Sequence, residues 1–189
     1  MNKEDLQEGD VIFIAIPNPL YRRVARGTGS RASHVGIVLK DAEGEWIVAE
    51  SAVPLSRYTT YDDFLKRTDD GWYCIRRLKT PLSAAAISRL KQECDRRMGV
   101  LYHLGFKFDS RRLFCSKFVY EVFRDALGVP LGQLETLREL HAKLPHVPLT
   151  FWRVWYLGRI PWSRITVTPA SQMHSELLET VYDASLAAS

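Results

Sequence analysis

The chain has 189 residues, a formal net charge of +4, 46% hydrophobic and 25% charged residues. That is the balance of one ordinary soluble domain, long enough to close a core without disulfide or metal staples. The charge is too weakly basic to argue for nucleic acid. Three cysteines, Cys74, Cys94 and Cys115, form no CxxC pair, which argues against a disulfide framework and a structural zinc site.

The N-terminus, MNKEDLQEGD, lacks the basic-then-apolar pattern of a secretory signal. No stretch approaches the ~20 apolar residues of a membrane span. The expected setting is therefore cytoplasmic, where thiols stay reduced. Val11 to Ile16 is short, apolar and rich in β-branched residues, which predicts a buried strand. Residues 18–33 read as a polar loop carrying Arg22, Arg23, Arg26 and Arg31. Strands follow at 34–39 and 46–50, joined by a hairpin connection around Gly44. A short helix at 60–67 is expected to be capped by Thr60, and a strand is expected at 72–77.

Ser83 opens a helix to about Met98, with Ile87, Leu90 and Cys94 on one face. The clearest helix spans 116–127 and ends at Gly128, with Pro130 beyond. A further helix is predicted over 134–144. Phe151, Trp152, Trp155 and Tyr156 share helical spacing and are expected to pack in the core. Residues 172–189 read as a tail prone to fray. Hairpin strands followed by helices indicate an α+β domain with an antiparallel sheet.

Cys115 stands directly before the 116–127 helix. A helix start carries unpaired N–H groups and about +0.5 charge, which favours thiolate and can hold an oxyanion. The competing reading is a small buried hydrophobe, the fate expected of Cys74 and Cys94. A nucleophilic thiolate needs an acid–base partner, usually His. His34 opens a strand, and a hairpin tip near Ala42 would set it opposite Glu50, with Cβ atoms about 5 Å apart. Glu50 would then orient His34 as the third member of a triad; a histidine beside a surface glutamate is the alternative. Tyr102 is a candidate wall of the site, and Arg31 a candidate grip for an anionic group. His103 is a fallback base.

The segments GDVIFIA, SHVGIVL, WIVAES and FCSKFVYEVF, in that order, resemble the circularly permuted papain-like branch of the NlpC-type superfamily, and in particular its bacterial YebB family. LYHLGFKFDSRRLFCSKFVYE and LTFWRVWYLGRIPW extend the resemblance, which runs from about Gly9 to Ser171. It implies an antiparallel sheet or small barrel packed on the cysteine helix. It also implies Cys115 as nucleophile, His34 as base then acid, and Glu50 as the polar third residue. The expected activity is a thiol hydrolase or acyltransferase acting on an amide, ester or thioester in a small-molecule, peptide or lipid acyl substrate. No cofactor and no metal are implied. A non-catalytic module using the same cleft is the alternative.

Overall fold

The computed structural model describes residues 2–187. Eight strands and eight helices follow one another as β1 (Val11–Ile14), α1 (Pro19–Thr28), β2 (His34–Lys40), β3 (Trp46–Ser51), β4 (Ser56–Thr60), α2 (Tyr61–Leu65), β5 (Tyr73–Leu78), α3 (Ala84–Asp95), α4 (Cys115–Leu127), β6 (Glu135–Thr136), α5 (Leu137–Lys143), α6 (Thr150–Trp155), β7 (Ile165–Thr166), α7 (Pro169–Met173), β8 (Leu178–Asp183) and α8 (Ala184–Ala187). The α+β expectation holds, with an open sheet in place of a barrel. Six strands lie in the order β4-β3-β2-β1-β5-β8, every neighbouring pair antiparallel.

Alternation along the strands divides the core. Val11, Phe13, Val35, Ile37, Leu39 and Ala49 face α3 and α4, where Leu90, Cys94, Phe118, Val119, Val122 and Phe123 complete one cluster. Ile12, Ile14, Val38, Val48 and Ile75 face the other way, under Tyr61 and Phe64 of α2. Cys74 and Cys94 are buried in the first cluster, as expected for packing thiols.

Three segments differ from the sequence reading. The polar loop at 18–33 is largely helix α1. Asn18 caps it by accepting the Leu20 N–H, Pro19 occupies the first turn, and Gly29 closes it at φ 63. The run of arginines hid a helix whose start and stop residues are both orthodox. Strand β4 was not foreseen; it forms the sheet edge beside β3. Residues 178–183, expected to lie in a fraying tail, instead pair with β5 as the opposite edge. Residues 188 and 189 of that tail lie outside the described residues.

Candidate active site

Helix α4 begins at Cys115 itself, one residue earlier than its hydrophobic repeat indicates. Phe114 at the N-cap offers no side-chain acceptor, so the first-turn N–H groups face outward unpaired. This end of the helix is fixed from two sides. Ser116 Oγ donates to Val167 O at 2.8 Å, and buried Gln172 of α7 donates to Ser116 O at 2.8 Å. Buried Lys117 donates to the Arg112 carbonyl at 3.1 Å and to that of Ser110, tying down the loop before the helix.

His34 is the first residue of β2 and is fully buried. Its Nε2 lies 2.5 Å from Glu50 Oε2. Its Nδ1 is buried and has no hydrogen-bond partner. The Cys115 side chain is close enough to act on the ring electrostatically, and Nδ1 is the ring nitrogen that Glu50 leaves free. Tyr21 of α1 meets the imidazole edge-on and Phe64 lies against its face, each with ring centroids 5.7 Å away.

Glu50 is fully buried, yet its carboxylate is well supplied with donors. Arg67 Nη2 reaches both oxygens, at 2.9 and 2.8 Å, and Thr59 Oγ1 donates at 2.7 Å. Arg57 Nε adds a 3.4 Å contact. Burial alone would raise the Glu50 pKa; hydrogen bonds to His34 and Arg67 and their positive charges outweigh it, and the net direction is well below the usual range. For His34, burial pulls the pKa down, but the neighbouring Cys115 and the hydrogen-bonded Glu50 carboxylate raise it to about 9.

Tyr102 is buried beside the thiol and interacts electrostatically with both Cys115 and Tyr21. Burial first, then the charge of Cys115, pushes its pKa well up, so it stays a neutral donor. Tyr21, Arg67 and Thr59 were missed by the sequence reading. Tyr21 lay in the supposed loop, and Arg67 and Thr59 carry no local pattern that distinguishes them. Arg31 is not part of this cluster. It is exposed, stacked 5.3 Å over Trp72 and 3.9 Å from Asp70, because the chain turns inward only at Ala32 and Ser33. His103 is also elsewhere, its Nδ1 accepting the Gly105 N–H.

Beside Cys115 opens an apolar pocket with about 100 Å³ of water-accessible space. Leu20, Tyr21 and Val24 of α1, Leu140 of α5 with Leu144 just beyond it, and Trp152 of α6 wall it. Trp152 and Tyr156 are thus half-buried pocket wall, with Phe151 and Trp155 half-buried beside them, not core as expected.

A family model described as the permuted papain-like amidase enzyme, YaeF/YiiX, C92 family, matches residues 5–182. The chain belongs to the permuted papain-like amidase family. Two similar proteins come from Escherichia coli. The uncharacterized protein YiiX of strain K12 is 26% identical over 175 residues, covering 93% of this chain and 85% of that protein. The crystal structure of metalloprotein yiiX from strain O157:H7 superimposes with a TM-score of 0.87 at 27% identity, covering 95% of this chain and 98% of that one. Among the described residues here, no cluster of three or more His, Cys, Asp or Glu is arranged to hold a metal ion. The permuted papain-like amidases are a cysteine hydrolase class. No helix is long and apolar enough to cross a membrane.

Proposed function

We propose that this chain is a thiol hydrolase acting on a substrate whose acyl group is a long apolar chain, through a Cys115–His34–Glu50 triad. The observation that carries the reading is the apolar pocket that opens beside Cys115. Pockets select what their walls can desolvate, and these walls are leucine, valine and indole with few charged groups.

With its pKa raised to about 9, His34 is imidazolium at neutral pH. That charge beside the sulfur, and the start of α4, stabilise the thiolate. Cys115 Sγ attacks the carbonyl carbon and the carbonyl electrons move to oxygen. First-turn N–H groups of α4 and the Tyr102 hydroxyl donate to that oxyanion. His34 Nδ1–H then protonates the leaving nitrogen or oxygen, the bond to it breaks, and a thioester joins the acyl group to Cys115. Neutral His34 next takes a proton from water, whose oxygen attacks the thioester. The products are the free acid and the restored thiolate–imidazolium pair. Glu50 holds Nε2–H throughout, and Arg67 keeps Glu50 ionised.

An amide is the bond this family designation favours, and an alcohol replacing water would make the same site an acyltransferase. Free thiols throughout suit a reducing compartment, and the cytoplasm is the setting we propose. The test is a series of acyl esters and N-acyl amides of increasing chain length. kcat/KM is expected to rise with chain length and to vanish in Cys115→Ala. Equal turnover of acetyl and long-chain substrates would remove the acyl-pocket reading, and turnover surviving Cys115→Ala would remove the nucleophile.

A further inference from the structure

All acidic residues of this chain lie outside two long stretches, 11–40 and 140–175. The first stretch carries Arg22, Arg23, Arg26 and Arg31, and the second Arg153, Arg159 and Arg164. The fold sets α1 and α6 side by side. The Arg23 guanidinium lies 5.6 Å over the Phe151 ring, and Gly27 faces the Trp152 indole. Arg22 and Arg31 are paired with Asp69 and Asp70. Among the described residues no carboxylate pairs with Arg23, Arg26, Arg153 or Arg159.

Apolar side chains protrude from the same rim. Val154 is 74% exposed and Leu157 92% exposed. Leu104, exposed as well, adjoins them, since Trp155 Nε1 donates to its carbonyl at 3.0 Å. Leu157 also sits at φ 51, where a branched side chain is disfavoured and Asn or Gly is at ease. In water, both exposure and backbone conformation count against leucine here. A partner that takes up aliphatic side chains and is ringed by negative charge reverses the first of these terms.

We propose that the rim formed by α1 and the α6 segment is a docking surface for an anionic lipid bilayer. Unpaired arginines suit phosphate headgroups, Trp152, Trp155 and Tyr156 suit the interfacial layer, and Val154 and Leu157 reach the acyl region. A protein partner would not require two acid-free stretches, because protein surfaces carry both signs of charge. Since α1 and α6 also wall the pocket beside Cys115, docking brings that pocket to the lipid. The surface stands on observations separate from the triad, and its test reads binding, not turnover.

The experiment is co-sedimentation of the full chain with vesicles of phosphatidylcholine alone or with about 30% phosphatidylglycerol, at low and high salt. Binding is expected only to the anionic vesicles, and salt should weaken it. Arg153→Gln with Arg159→Gln should weaken it about 25-fold, roughly fivefold per arginine. Leu157→Asn should weaken it about tenfold without lowering Tm, which separates lost binding from lost folding. Failure to bind anionic vesicles, or binding that neither variant alters, overturns the proposal. So does concentration-dependent dimerisation that Leu157→Asn abolishes, which would assign the patch to a second copy of the chain.

Discussion

Glu50 bonds His34 from two residues along the strand. The β2–β3 register pairs Ile37 with Ala49, so Glu50 lies across from Gly36, and its carboxylate runs diagonally to His34 Nε2 at 2.5 Å. The hairpin is shifted by two residues from the register expected of a tip at Ala42. A shift of two preserves the face, so the pairing of His34 with Glu50 survives the error. Gly36 matters to this arrangement. A Cβ there would overlap Val48 Cγ1 and stand 3.3 Å from the Phe64 ring that lies against His34. Gly36→Ala should therefore cost about 1–3 kcal/mol in denaturant unfolding, as overpacking of a closed core does.

Arg67 is expected to set the pH range of the site by acting on Glu50. Its guanidinium holds both carboxylate oxygens and lies 4.8 Å over Phe64. Arg67→Met removes a positive charge that opposes protonation of His34. The alkaline limb of kcat/KM should move up by roughly half to one pH unit, and Arg67→Lys should restore most of it. A merely structural role would lower the amplitude and leave the limb in place.

Stability should fall between about pH 6.5 and 9. His34 has its pKa raised from 6.5 to about 9 on folding, so its contribution is complete below 6.5 and is lost as pH rises through 9. Glu50 moves the other way: its contribution is present above its ordinary 4.5 and is lost as pH falls. Thermal melts at pH 6 and pH 9.5 should differ by several degrees, at about 2–4 °C per kcal/mol for a chain of this size. The difference should shrink in His34→Gln.

Iodoacetamide should separate the three thiols. Burial pushes the Cys74 thiol up to about 12 and the Cys94 thiol further still, and both are enclosed in the core. Cys115 alone stands beside a pocket and an imidazolium. At pH 6–7 mass spectrometry should find label on Cys115 at least tenfold ahead of the other two. Uniform slow labelling would contradict the triad.

Gly27 offers a means of shortening the pocket. It lines the wall on α1, and a Cβ there meets only the Trp152 Nε1 at an ordinary 3.8 Å. Gly27→Val should fit the helix while filling the space beyond. Long-chain substrates should lose about tenfold or more in kcat/KM, and acetyl substrates should be little changed.

The parts of the fold that rest on short-range pattern were legible in the sequence. Alternation in 34–39 and 46–50 marked the central hairpin, and the repeat in 116–127, closed by Gly128, marked α4. The same patterns singled out His34, Glu50 and Cys115, because each occupies a defined place in its own element: strand start, strand face and helix start. Helix α1 carried readable signals in Asn18, Pro19 and Gly29, but its arginines overrode them in the reading.

What the tertiary structure alone decided is how distant elements meet. Arg67 and Thr59 join Glu50 because β4 and the end of α2 fold over β3. Tyr21 reaches His34 and Tyr102 reaches Cys115 across separations that no periodicity encodes. The pocket exists only where α1, α5 and α6 close on the start of α4. Strand β8 is an edge because its backbone finds the free N–H and C=O groups of β5. Local sequence specifies which face of an element is apolar. Which apolar faces bury one another, and which polar groups are then enclosed together, is settled by long-range packing.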